Sequence, residues 1–128
     1  ELAVFRGLSP TGAIGAGVVV YAEGRNMADQ AINALELYRN ESCGKCIPCR
    51  VGSQKIATLG RNVLEGKVDA GRWSNELAPL ISELVDVITQ TSICGPGRSI
   101  PMPVKCMLDY FADDLKPYLS GASRNFGA

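Results

Sequence analysis

Apolar residues recur at helical spacing along most of this chain. Ala28, Ala31, Ile32, Leu35 and Tyr38 share one face at intervals of three and four, which predicts a first helix over about 27–40 with Asn26 as its cap. A second is expected from about Cys49 to Leu64, with Ile56, Leu59 and Val63 on its stripe and Gly66 in a stop position. The third pattern is the clearest: Leu77, Leu80, Ile81, Leu84, Val85 and Ile88, with Ser74 or Asn75 as cap and Pro79 tolerated in the first turn. Gly95, Pro96 and Gly97 break it. After Pro101 and Pro103 a fourth helix is expected to carry Val104, Met107, Leu108, Phe111 and Leu115 and to end near Pro117.

Upstream, Gly17-Val18-Val19-Val20-Tyr21-Ala22 is a short β-branched run bounded by Gly24 and reads as a strand. Gly12, Gly15 and Gly17 superficially suggest a phosphate-binding loop, but such a loop follows a strand and opens a helix, whereas these glycines precede one. They are read as turn glycines. The expected fold is therefore mainly α, a four-helix bundle preceded by a short β remnant. The expected boundaries are 1–25 for the end of an upstream β-rich domain, 26–119 for the helical domain and 120–128 for a flexible tail.

Composition narrows the functional classes. With 128 residues the chain has the length of one domain, and thirteen basic residues balance thirteen acidic ones, so no global field draws in nucleic acid or an anionic membrane. No apolar run approaches the roughly 20 residues of a membrane helix. A cytoplasmic setting, or the cytoplasmic or matrix face of a membrane complex, is expected. The absence of histidine removes the commonest general base, the triads that use it and mixed Cys/His zinc sites. The first residue is Glu and no signal-peptide pattern follows it, so the chain reads as cut from something longer.

Five cysteines lie at 43, 46, 49, 94 and 106, three of them within seven residues, which is poor disulfide design. Cys43, Cys46 and Cys49 form CxxCxxC, a spacing that lets the backbone wrap one face of a 4Fe-4S cluster with its amides turned inward. Gly44 supplies the freedom this wrapping requires. Cys49 opens the second helix, whose positive end faces a negatively charged centre, and Lys45 and Arg50 add cations beside it. The second and third helices, each about 16 residues and roughly 24 Å long, run out and back to the same end of the bundle. That brings Cys94 to the triplet as fourth ligand. Cys106 falls inside the fourth helix and reads as a small buried hydrophobe. The main rival is a zinc-stabilised helical interaction module without redox activity, although four-cysteine zinc sites usually show two separated CxxC pairs. A CxxC redox disulfide would need a βαβ setting that is missing.

The run Glu41-Ser-Cys-Gly-Lys-Cys-Ile-Pro-Cys-Arg-Val-Gly52, followed by Thr91-Ser92-Ile93-Cys94-Gly95, closely resembles the iron-sulfur domain of the NADH-binding flavoprotein subunit of complex I. The same domain occurs in diaphorase subunits of NAD-reducing hydrogenases and in beta subunits of NAD-dependent formate dehydrogenases. The resemblance covers residues 26 to about 118, and Gly15–Val20 looks like the end of that family's ubiquitin-like domain. It implies Cys43, Cys46, Cys49 and Cys94 as cluster ligands, with FMN and NAD(H) held in a missing upstream part. It also implies electron relay to further iron-sulfur centres on other subunits of an NAD-linked oxidoreductase. By itself the 128-residue piece is not expected to be catalytic. The family often has Leu where this chain has Pro96, in the segment bordering the flavin.

Overall fold

A computed structural model describes residues 19–119. These are mainly helical. Helix α1 is Met27–Asn40, and α2 is Ser53–Leu64, entered through a π-helical turn at Pro48–Gly52. A one-turn α3 at Ala70–Arg72 leads through a second π-helical turn, Trp73–Leu77, into α4, Ala78–Thr91. Short α5 is Gly95–Ser99, α6 is Met102–Tyr110, and a 3-10 turn at Ala112–Leu115 precedes α7, Lys116–Leu119.

Local chemistry explains most of these bounds. The Asn26 side chain accepts from the Asp29 N–H at 3.1 Å and caps α1, as expected. Gly66, at φ +69°, ends α2: its N–H reaches Val63 O at 2.9 Å and the next N–H, of Lys67, reaches back to Asn62 O at 3.0 Å. The third helical pattern starts earlier than its apolar stripe suggests. Asp69, not Ser74 or Asn75, is the cap, its carboxylate accepting from Arg72 N–H at 2.9 Å. The backbone is already helical when it reaches Pro79, and the widened turn before α4, in which Ala78 N–H reaches back to Trp73 O, accommodates a residue that cannot donate to the preceding turn.

The core joins the four longer helices. α1 packs on both α2 and α6, and α4 contacts α2, α6 and the turn before α2. Ala28, Ile32 and Leu35 of α1 meet Ile56 and Val63 of α2, Ile81, Val85 and Ile88 of α4, and Val104 and Met107 of α6 in one buried cluster. Two glycines set the spacing. A Cβ on Gly60 would lie 2.2 Å from Ile32 Cδ1, and one on Gly52 would lie 2.7 Å from Ile88 Cδ1 and Cγ1, so α1 and α4 each press onto a residue without a side chain. Far from that turn, Asp114 closes the fold. Its side chain accepts from Met27 N–H at 2.7 Å and its carbonyl from Asn26 Nδ2 at 2.8 Å.

Three expectations are corrected. Val19–Ala22 form no strand, and no strand occurs among the described residues; Val19 and Val20 are 71% and 89% exposed, with no neighbouring strand to take their backbone hydrogen bonds. The remainder of the expected β segment, the turn glycines and the tail from Ser120 lie outside the described residues. The fourth helix stops at Tyr110, because Phe111 turns out of helical geometry (φ −133°, ψ 29°) and lets Asp114 swing onto α1; Phe111 is exposed instead of buried. Tyr38 likewise leaves the core stripe and stands half open at the rim of a cavity.

Candidate metal centre

The segment after α1 turns through Gly44, whose φ of +70° admits glycine with little strain. Ser42 bridges this turn: its Oγ accepts from Gly44 N–H at 3.2 Å and lies 3.2 Å from Cys49 Sγ. The carbonyl of Cys46 accepts from Arg50 N–H at 3.0 Å, so helical winding starts at the second cysteine of the motif and carries Cys49 into the π-helical turn. π-Helical turns frequently mark functional sites. Here the turn rests on Ile88 of α4 through Gly52.

The other segment arrives from α4. The chain turns extended at Ser92 and Cys94, and Cys94 then caps α5, its Sγ accepting from Gly97 N–H at 3.4 Å. Arg98 ties the bend down by donating from Nε to Ser92 O at 2.9 Å. The third helical pattern was expected to break at Gly95, Pro96 and Gly97, but it ends earlier, at Thr91, where Ser92 turns extended, and the Gly-Pro-Gly segment starts a separate helix.

Both segments meet at one cavity of about 410 Å³, lined by Cys43, Cys46, Cys49 and Cys94 together with Tyr38, Ser42 and Gly97 among others. Cys49 is buried, Cys46 half-buried, and Cys43 and Cys94 open to solvent. Among the described residues no three cysteine or carboxylate side chains meet closely enough to hold a single metal ion; the sulfurs stand around the cavity wall. Cys106 is elsewhere. It lines a separate groove with Met27, Tyr38 and Phe111, and it is half-buried rather than a member of the core; burial, then Asp109, pushes its thiol above the ordinary value.

The electrostatics favour thiolate at Cys46. The Ile93 N–H, helped by the N–H groups of Cys49 and Cys46 itself and by the Ser92 hydroxyl, holds its thiol below the ordinary value against the opposing effect of burial. A backbone amide beside the fourth cysteine thus acts on the second. Two further features fit a bound group. Ser92 Oγ, in a residue 1% exposed, makes no close hydrogen bond among the described residues beyond its weak approach to Cys46, so this buried hydroxyl is under-satisfied. At Gly97 a Cβ would stand 3.1 Å from Ser92 Cβ and 3.4 Å from Cys94 Sγ, so glycine keeps this wall open. Ser42, Ser92 and Gly97 escape sequence reasoning, whose only signal for them is their position within three residues of a cysteine. Lys45 and Arg50 are both exposed, with Arg50 Cδ 3.8 Å from where a Gly44 Cβ would be.

A compact helical domain that gathers cysteines from two segments around one cavity defines a class of metal-centre module. Comparison with known proteins gives the family: the chain belongs to the NADH-ubiquinone oxidoreductase-F iron-sulfur binding region, which matches residues 29–118. It is 30% identical over 103 residues to the NADP-reducing hydrogenase subunit HndC of Solidesulfovibrio fructosivorans, covering 80% of this chain and 20% of that one. It is 30% identical over 119 residues to the F subunit of NADH-quinone oxidoreductase from Aquifex aeolicus, covering 92% and 27%. Identity to the NADP(+)-dependent formate dehydrogenase subunit beta of Moorella thermoacetica is 30% over 112 residues, covering 82% and 15%. The matched part is thus a minor fraction of each relative.

Proposed function

We propose that Cys43, Cys46, Cys49 and Cys94 hold one 4Fe-4S cluster at one end of a four-helix bundle, and that this chain relays electrons within an NAD-linked oxidoreductase. The observation that carries the reading is the convergence of these four cysteines, from segments 45 residues apart (49 to 94), on one cavity. Family membership supports the iron-sulfur chemistry, and the relatives' names support an NAD(P)-linked enzyme of complex I, hydrogenase or formate dehydrogenase type. When bound, such a cluster accepts and releases single electrons. The chain's own residues supply four thiolates, the inward N–H groups of Ile93 and Gly97, and two exposed cations, Lys45 and Arg50, whose effect solvent weakens.

In this reading the helical domain spans 26–119, FMN and NAD(H) bind to an upstream part of the parent protein, and the electrons pass to iron-sulfur centres on other subunits. The chain acts on the cytoplasmic side; no described helix is long and apolar enough to cross a membrane. Anaerobic purification followed by iron and sulfide analysis, visible absorption and electron paramagnetic resonance tests it. The expected product is brown, with about four iron and four sulfide per chain, and bleaches on reduction. A colourless chain holding one zinc would overturn it.

A further inference from the structure

Cys49 is the most buried of the four cavity cysteines, at 5% exposure, and one side chain touches its sulfur with hydrogen-bonding geometry: Ser42 Oγ, at 3.2 Å. The direction of that bond follows from chemistry. Gly44 N–H donates to Ser42 Oγ at 3.2 Å. The hydroxyl therefore has an occupied lone pair and one proton to give. A cysteine bound to metal is a thiolate with no proton. Once Cys49 is a ligand, Ser42 is the donor and Cys49 Sγ the acceptor.

A charge-assisted bond of this kind gains strength as the acceptor becomes more negative, and a buried setting screens it little. One-electron reduction adds negative charge that spreads onto the ligand sulfurs. The donor thus stabilises the reduced form more than the oxidised form. Exposed Lys45 and Arg50 act through solvent, whereas the Ser42 hydroxyl is in direct contact with the sulfur.

Building on the cluster reading above, we propose that Ser42 is a tuning residue: oriented by Gly44 N–H, its hydroxyl donates to the Cys49 sulfur and raises the reduction potential of the bound cluster. Ser42 is not itself a ligand. Its role is to bias the electron equilibrium through Cys49 and so to set which donors can reduce this centre.

The test is a redox titration of the loaded full chain, followed by electron paramagnetic resonance, for wild type, Ser42→Ala and Ser42→Thr, with iron and sulfide measured on each. Ser42→Ala is expected to keep its cluster while its reduced-to-oxidised ratio at the wild-type midpoint falls about three- to tenfold, equivalent to a drop of roughly 30–60 mV for a one-electron couple. Ser42→Thr, which keeps the hydroxyl, should restore the wild-type value. An unchanged or raised potential in Ser42→Ala at full iron content overturns the tuning role and leaves the cluster reading intact. Loss of the cluster from Ser42→Ala would make the hydroxyl a loop support and overturn it equally. As a second readout, electron nuclear double resonance of the reduced wild type should show a strongly coupled proton that exchanges into deuterium oxide and is missing from Ser42→Ala. Failure to find it in wild type overturns the proposal without any variant. A wild-type chain that carries no iron and sulfide overturns both readings.

Discussion

Replacing Gly52 with alanine should unseat the turn that carries Cys49, while the same change at Gly95, beside Cys94, should not. At Gly52 the new methyl would meet Ile88 Cδ1 and Cγ1 at 2.7 Å, where carbon pairs prefer about 3.5–4.0 Å. Ile88 is fully buried and cannot swing into solvent. Overpacking of this kind costs about 1–3 kcal/mol, and alanine regains about 0.8–1 kcal/mol over glycine in a helical backbone. The net is a loss centred near 1 kcal/mol, which in a domain of this size lowers Tm by roughly 4–8 °C. At Gly95 nothing beyond its chain neighbours Cys94 and Pro96 lies within 4 Å of the new methyl and φ is not positive, so a narrower unfolded ensemble should leave the fold as stable as wild type or stabilise it by up to about 1 kcal/mol. Thermal unfolding followed by circular dichroism, with iron content on the same samples, compares the two. Gly52→Ala should melt lower and load less iron, and Gly95→Ala should match or exceed wild type in both. If Gly52→Ala melted at or above wild type with full iron, α4 would have to yield freely, and the tight seat argued for the cysteine turn would be wrong.

Single Cys→Ser changes at Cys43, Cys46, Cys49 and Cys94 should each sharply reduce iron and sulfide, whereas Cys106→Ser, in a separate groove, should leave them nearly intact; the reverse pattern for Cys94 and Cys106 would refute the ligand assignment. Asp69 supplies a pH-dependent contribution. The N–H of Arg72, then that of Gly71, holds its carboxyl below the ordinary value, so its stabilisation is complete above the ordinary carboxylate range of about 4 and is lost as pH falls through the lowered folded value. Asp69→Asn, which keeps an acceptor that does not ionise, should therefore flatten this part of the fall in urea midpoint below about pH 4 and change little at pH 7.

Three of the four expected helices were legible because their buried residues form unbroken apolar stripes: Ala28 to Leu35, Ile56 to Val63, and Leu77 to Ile88. Periodicity is blind where a helix has no apolar face. Ala70-Gly71-Arg72 are all exposed, so the true start of the third pattern at Asp69 left only a capping residue as its trace. It also misleads where spacing fits but topology intervenes. Phe111 falls in step with Val104, Met107 and Leu108, yet the chain leaves the helix there because Asp114 is held by the first turn of α1. At the site, cysteine spacing marked the triplet, and Cys94 does line the triplet's cavity; the expected equal helix lengths are not what brings it there, since the returning helical run, Ala70–Thr91, is longer than the outgoing one, Pro48–Leu64. The hydroxyls of Ser42 and Ser92 were not legible, since a serine beside a cysteine is ordinary and only the fold shows that one touches a cavity sulfur and the other is buried.

The two hydrogen bonds from Asn26 and Met27 to Asp114 join points 88 and 87 residues apart. Polypeptide therefore enters and leaves this module at nearly the same place. Such a unit can sit in a host chain as a closed side branch, with the host's backbone interrupted at a single point, which is the geometry that tolerates domain insertion. The cavity cysteines are reached only after the whole of α1 from one side and of α6 from the other, so neighbouring sequence on either side can be exchanged without touching a cavity cysteine. Adjacent ends make the domain transplantable, and the relatives carry the matching segment in chains of quite different length.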